Sequence, residues 1–290
     1  MTKIHLNDLQ KILASQPFVF DSSSGHLPFL LVEPSPEQWK QLSKGDGHTS
    51  IEEELKKRHS STLLAVNFHL LFQRKTGIRV SFEDKVAIPL QKSPKNANLD
   101  VSYTEGFRKI YVESKFLEPF YDYCGNRDIR TPGQLLKRIK PYLDESRYPA
   151  VASPSDVRRC FEDLASEIRS GRLLFVDVQQ LFKHALAIHR AASEISPCPG
   201  TCIVLQSIRW QPTSRFLAAA KDCGTGWENT IREREAHIQD ETEICRRYMS
   251  RFIGALGDAD FFTFEDCTYN ERIDALESDD DKQFRLLYFL

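Results

Sequence analysis

The amino-acid sequence predicts an α/β fold in which a mixed central sheet is flanked by helices. Three stretches carry this prediction. Residues 49–75 have apolar side chains at helical spacing, residues 98–120 read as two strands around a tight turn, and residues 201–210 form a nearly continuous apolar run. Such a run is typical of a strand in the middle of a sheet that is covered on both faces.

The first 48 residues are predicted to be a partly irregular lead-in. Residues 4–16 favour a short helix that ends at Pro17. Residues 18–20 and 29–32 favour short strands, with a turn between them. No chemistry is indicated in this segment.

Residues 49–75 are predicted to be the strongest helix of the chain. Ser50 with Glu53 fits a capping box at its start, and Gly77 fits a stop after its end. The apolar stripe that defines it comprises Ile51, Leu55, Leu63, Val66 and Leu70.

The next segments are a strand over 80–91 and the hairpin. The hairpin strands, 99–103 and 110–116, are rich in β-branched and aromatic residues. Side chains two apart on a strand share a face, so Glu113 and Lys115 point the same way. The opposite face takes Ile110, Val112, Ser114 and Phe116.

The hairpin register predicts a cluster of charged groups. If the turn closes near Phe107, Asp100 lies almost opposite Lys115 and diagonal to Glu113. Two carboxylates and a lysine on one sheet face suit a hard divalent cation next to an anion.

Beyond the hairpin, helices and strands alternate. Gly171 fits a stop after one helix, and Asp177 fits the N-cap of the next. The predicted elements are helices over 132–142, 155–170, 178–192 and 227–256, strands over 201–210 and 261–264, a short strand or connection over 173–176, and a strand or helical turn over 284–290.

Asp100, followed after a turn by Glu113-Ser114-Lys115, resembles the PD-(D/E)xK nucleases of the restriction endonuclease-like superfamily. The resemblance is clearest over 49–120 and weaker over 173–210. It implies a restriction-endonuclease-like αβββαβ core with helical additions. It also implies that Asp100 and Glu113 bind Mg²⁺, with Mn²⁺ as a substitute, and that Lys115 polarises the attacking water. One departure is Leu99, where the family commonly has proline.

The resemblance also implies two supporting residues. An acidic residue on the helix before the hairpin commonly completes the metal site, and Glu54 is the first candidate, with Glu53 second. A helix after the ExK strand brings a glutamine to the site, which assigns that position to Gln180. The alternatives remain open: Glu54 would favour its helix N-terminus electrostatically, and Gln180 would be an ordinary polar residue on an exposed helix.

Basic residues could follow a phosphate backbone, or could simply be solvated. Clusters lie at 56–58 and 127–140, and the helix with Gln180 offers Lys183 or His184. The predicted DNA contacts are Lys57, Arg58, Arg127, Arg130 and Lys183.

Composition describes an ordinary globular protein of 290 residues, with 41% hydrophobic and 28% charged residues. The net charge of −2 counts mildly against DNA binding, although a basic groove can coexist with an acidic remainder. Seven scattered cysteines argue against a disulfide framework, and Cys198 with Cys202 lacks the second pair that structural zinc needs.

The chain also lacks several signals. It has no Walker, dinucleotide-binding, zincin or nucleophile-elbow motif. No signal peptide opens it, and no apolar run approaches the ~20 residues of a membrane helix. A cytoplasmic protein without membrane contact is expected.

The expected organisation is a lead-in over 1–48, a nuclease core over 49–210 with a basic helical insertion near 121–172, and a helical extension over 211–290. The expected function is a Mg²⁺-dependent DNA endonuclease in restriction or defence. The alternatives are a repair or recombination nuclease, and a non-catalytic DNA-binding or structural protein that keeps the fold. A homodimer is left open.

Overall fold

The computed structural model describes twelve stretches of the chain. These are residues 3–16, 27–44, 50–87, 96–125, 127–129, 131–139, 155–195, 200–224, 226–258, 260–274, 276 and 279–289. The predicted strand over 18–20, Arg130 and Cys198 lie outside the described residues.

A five-stranded mixed sheet flanked by helices confirms the predicted α/β class. Its order is β1-β2-β3-β6-β7, with the first three strands antiparallel and the last three parallel. The strands are β1 Val80–Ala87, β2 Asn96–Glu105, β3 Arg108–Lys115, β6 Cys202–Arg209 and β7 Phe262–Thr268; a separate small hairpin is formed by β4 Tyr123–Cys124 and β5 Arg127–Asp128.

Helices cover both faces of this sheet. Within the described residues they are α1 Leu6–Ser15, α2 Pro36–Leu42, α3 Ile51–Leu55, α4 Ser61–Thr76, α5 Pro132–Ile139, α6 Ser155–Arg169, α7 Val178–Ile195, α8 Ser214–Asp222, α9 Trp227–Ala255, α10 Tyr269–Asp274 and α11 Asp279–Tyr288, with a 3₁₀ turn at Glu118–Phe120. None of them is both long and apolar enough to cross a membrane.

The interior strand β6, between β3 and β7, separates two hydrophobic cores. Val204 and Ile208 pack in the core that α4 and α11 cover, whereas Ile203 and Leu205 pack in the core that α6, α7 and α9 cover. Successive side chains of a strand point to opposite faces, so a strand buried on both sides must be apolar throughout. The predicted burial of this strand is confirmed.

The predicted helix over 49–75 is wrong as one continuous element. Ser50 caps α3, with its hydroxyl accepting the Glu53 N–H at 3.3 Å. Ser60 then caps α4 in the same way, and Gly77 ends α4 in the left-handed conformation at φ 73°. A second serine cap competes with continuation of the helix and divides the segment.

One smaller expectation is corrected, and two open alternatives are decided. Residues 29–32 form no strand, because the Asn67 side chain satisfies the Leu31 N–H and the Phe29 carbonyl at 2.8 Å each. Of the alternatives left open, residues 173–176 are the connection into α7 and not a strand, and the C-terminal segment is helical, as α11.

Arg58, which we expected to contact DNA, is a buried structural residue. Only 9% of it is exposed, and burial lowers its pKa to about 10. Its guanidinium donates to the carbonyls of Leu13 at 2.7 Å, Gln16 at 2.9 Å and Leu287 at 2.8 Å. Arg58 therefore ties the end of α1 to α11.

We expect Arg58→Ala to lower the free energy of unfolding by about 2–4 kcal/mol, because buried carbonyls lose a charged donor. Lys57→Ala is the matched control. Its side chain is more exposed and pairs with Glu54, so its loss should change stability by less than about 1 kcal/mol. Urea denaturation of both variants measures the difference, and equal losses would contradict the structural role.

Candidate active site

Asp100 lies at the point where β2 and β3 separate. The two strands pair from Glu105 and Arg108 to Val101 and Val112, and Asp100 comes next on β2. Continuing this register places Asp100 opposite Glu113, not opposite Lys115 as we expected. A shift of two residues leaves every side chain on its face, so the cluster survives the corrected register.

The strand β2 bends at Asp100. Leu99 and Val101 would share a face on a regular strand, yet they pack in different cores. On the neighbouring strand, Glu83 has a positive φ of 52° and is skipped in the pairing. The Asp100 carboxylate accepts the Ser114 N–H at 2.7 Å, just beyond the last paired residues of β2 and β3.

Glu113 is a buried carboxylate between two basic side chains. It is 2% exposed, with Lys115 Nζ 2.5 Å from Oε1 and His184 Nε2 2.8 Å from Oε2. Despite this short distance, neither Oε2 nor the ring nitrogens of His184 make a hydrogen bond of good geometry among the described residues. Burial alone would raise the Glu113 pKa, but Lys115 and His184 outweigh it and lower the pKa to about 2.

The pKa of Asp100 shifts in the opposite direction to that of Glu113. Burial, and then the negative charge of Glu113, raise the Asp100 pKa well above its usual value, while Lys115 offsets part of this increase. Two adjacent carboxyl groups whose pKa values are driven apart are typical of sites that handle protons or cations.

Lys115 is held by two partners. Its Nζ donates to Glu113 and, at 3.0 Å, to Gln180 Oε1. Burial lowers the Lys115 pKa, but the acidic groups around it, chiefly Glu113 and then Glu118, raise it above the ordinary value. The ammonium therefore stays charged.

The helix α7 delivers two residues to the site. Asp177 caps α7 by accepting the Gln180 N–H at 3.3 Å. Four residues apart, Gln180 and His184 lie on one face of the helix. Gln180 thus lies beside Lys115, as the resemblance implies. His184 is fully buried against Glu113, so it is not the exposed phosphate contact that we considered.

Glu54 has a local partner instead of a demonstrated place at the site. It pairs with Lys57 at 2.6 Å. Apart from Glu113, the acidic group that raises the pKa of Asp100 is Glu83. Those that raise the pKa of Lys115 include Glu118 and Asp177. The roles of Glu54 in metal binding and Lys57 in DNA binding stay predictions. So do those of Arg127, exposed on β5, and Lys183, partly buried on α7.

A cavity of ≈ 150 Å³ adjoins Glu113 and Lys115. Its polar lining includes Ser207, Arg209 and Asp266, which our sequence analysis missed. The parallel register aligns Glu113 with Ser207 and Ser207 with Asp266. Only the pairing of β3, β6 and β7 reveals this row, because these residues lie far apart in sequence.

No family model, curated protein or solved structure matches the chain. The chemistry of the site is therefore the basis for assigning a function.

The buried carboxyl group of Asp266 makes the stability of the protein depend on pH. Burial raises its pKa from 3.8 to about 6, although Arg209 opposes this shift. At pH values between 3.8 and 6, Asp266 is ionised in the unfolded chain but still protonated in the folded protein. Ionisation therefore favours the unfolded state, and the stability that is fully present below pH 3.8 is lost as the pH rises through 6. We expect Asp266→Asn to stabilise the protein at pH 8 by about 1–2 kcal/mol, allowing for partial exposure.

Urea denaturation at pH 8 and below pH 4 checks this prediction. The gain should vanish in acid, where the wild-type carboxyl is neutral in both states. A gain of equal size at both pH values would exclude ionisation of Asp266 as its cause.

Proposed function

We propose that this protein is a Mg²⁺-dependent DNA endonuclease with a restriction-endonuclease-like core. The observation that carries the proposal is the convergence of Asp100, Glu113 and Lys115 where β2 and β3 separate. Phosphodiester hydrolysis needs groups that bind a cation, place a water and stabilise negative charge on the phosphate. These three side chains supply groups for each task.

The donor set fits Mg²⁺. Within the described residues, no group of three or more His, Cys, Asp and Glu side chains could hold a metal. Two carboxylates are nevertheless a usual protein contribution to a Mg²⁺ site, because this ion keeps several waters and takes substrate phosphate oxygens. Glu113 Oε2 is buried and makes no hydrogen bond of good geometry among the described residues, although His184 Nε2 lies 2.8 Å away, so it is a further acceptor for a cation. When bound, the ion would lower the pKa of a water and neutralise charge on the phosphate.

The chain's own residues have distinct roles in this proposal. Asp100, oriented by the Ser114 N–H, and Glu113 present oxygens to the cation. Lys115, held by Glu113 and Gln180, places a positive charge beside the phosphate. A fixed ammonium stabilises the more negative transition state without reorganising at the moment of reaction.

The order of elements supports the nuclease core. The helix α4, strands β1, β2 and β3, helix α7 and strand β6 occur in the αβββαβ order that the resemblance implies, with β4, β5, α5 and α6 inserted between β3 and α7. We propose that Mn²⁺ substitutes for Mg²⁺, and that the role is restriction or defence. Repair or recombination nucleases would use the same site chemistry.

One observation favours the non-catalytic alternative. The described contacts already pair Glu113 with Lys115 and His184, and a purely structural charge network would look the same. Activity of variants therefore has to decide between the two functions.

Lys115→Ala should lower the rate of DNA cleavage about 10²–10³-fold and leave DNA affinity nearly unchanged. Affinity for DNA comes from many phosphate contacts, so one lysine is a small share. Lys115→Arg should not restore the rate, because a planar guanidinium cannot replace a compact ammonium. Single-turnover cleavage of plasmid DNA in Mg²⁺, paired with binding in Ca²⁺, measures both quantities.

The control is Lys221→Ala, which removes an exposed lysine at the end of α8. It should cleave like the wild type. Wild-type cleavage that persists in EDTA, or an undiminished rate in Lys115→Ala, would defeat the proposed mechanism. An equal loss of binding and cleavage would make Lys115 a phosphate anchor.

His184→Gln should raise the Mg²⁺ concentration needed for half-maximal cleavage about tenfold, because residues that orient a metal ligand affect metal affinity on this scale. The matched control is His189→Gln on the same helix, where the histidine pairs with Asp258 at 2.5 Å instead of the site. Rates measured across a Mg²⁺ series separate metal affinity from the saturated rate. Identical Mg²⁺ curves for both variants would refute a positioning role for His184.

A further inference from the structure

The cavity beside the site has walls that are partly apolar and partly polar. It extends from Glu113 and Lys115 between the helices α5, α7 and α9. The walls include Tyr121, Leu135, Phe175, Val176, Leu181 and Ile238. Two of these side chains are aromatic, and flat rings stack favourably on flat ligands.

A buried donor without a partner lies in the polar part of this cavity. Arg209 is 7% exposed, and its Nη1 donates to Glu235 at 3.0 Å. Its Nε has no hydrogen-bond partner among the described residues. A buried donor that stays unsatisfied destabilises the folded protein, so the position calls for an acceptor. Asp266 and Ser207, which also line the cavity, add an acceptor and a hydroxyl.

The cavity volume selects the size of the ligand. A volume of ≈ 150 Å³ matches cavities that take up one benzene ring. It therefore suits a single six-membered ring better than a fused bicyclic system. Among nucleobases, the pyrimidines have this size and carry both hydrogen-bond donors and acceptors at their edge.

We propose that the cavity receives the pyrimidine base of the nucleotide whose phosphate lies at Lys115. This inference rests on the proposed function. Glu113 and Lys115 belong to both the site and the cavity lining, so the phosphate and base of one nucleotide would occupy adjoining spaces. The base leaves the stack, lies against Phe175 and Tyr121, and meets Arg209 and Asp266 with its polar edge.

Binding of deoxynucleoside 5′-monophosphates tests the cavity without requiring catalysis. Calorimetry on the full chain, with Ca²⁺ and without divalent cations, should show dCMP and dTMP binding about tenfold more tightly than dAMP and dGMP. Val176→Phe adds a ring to the cavity wall and should abolish this preference. Val32→Phe, at a partly buried valine that does not line the cavity, should keep it.

A second variant tests the contact between Asp266 and the polar edge of the base. Asp266→Asn preserves shape but removes the carboxylate, and should weaken dCMP binding about tenfold. Thermal denaturation establishes that each variant is folded. Equal binding of purine and pyrimidine monophosphates, or a preference that survives Val176→Phe, would overturn the inference.

Cleavage distinguishes this inference from the function on which it rests. Oligonucleotides with a pyrimidine, a purine or a stable abasic unit at the scissile position should be cut fastest with the pyrimidine. Mg²⁺-dependent cleavage that ignores this unit would refute the base site and leave the nuclease standing. A pyrimidine preference in binding, without any cleavage, would refute the nuclease and leave the base site standing.

Discussion

The ionised state of Glu113, buried inside the protein, is the constraint on which the site depends. Removing a carboxylate from water is costly unless cations lie next to it. The cation Lys115 comes from the same strand, and His184 approaches from α7, so the contacts of Glu113 connect the sheet to that helix. The same negative charge raises the pKa of Asp100 across the opened strand pair. One buried carboxylate thus links helix placement, strand separation and the electrostatics of its neighbour.

The amino-acid sequence predicts the parts of this arrangement that local periodicity controls. The alternation of side chains on a strand places Glu113 and Lys115 on one face, and helical spacing places Gln180 with His184. Both expectations match the observed contacts. The hairpin register was wrong by two residues, because period-two patterning cannot detect a shift that preserves the faces. The turn is tighter than expected, with Gly106 at φ 60°.

Other features depend on contacts between distant parts of the chain. Arg58 looks like a solvated cation in sequence, yet carbonyl groups from both ends of the chain bury it. Nothing local distinguishes it from Lys57, which is only partly buried. Likewise, Arg209 and Asp266 join the cavity only because β6 and β7 pair in parallel. Sequence reasoning is strongest within an element and weakest where two elements meet.

The position of α7 is itself set by a long-range contact. The backbone N–H groups of Leu174, Phe175 and Val176 donate to the carboxylate of Glu241 at 2.8, 2.7 and 2.9 Å. Successive N–H groups that converge in this way form a concave anion site, which here a side chain of α9 fills. This contact holds the segment that leads directly into α7. The long helix α9, although remote in sequence, therefore fixes both a wall of the cavity and the approach of Gln180 and His184 to the buried charge.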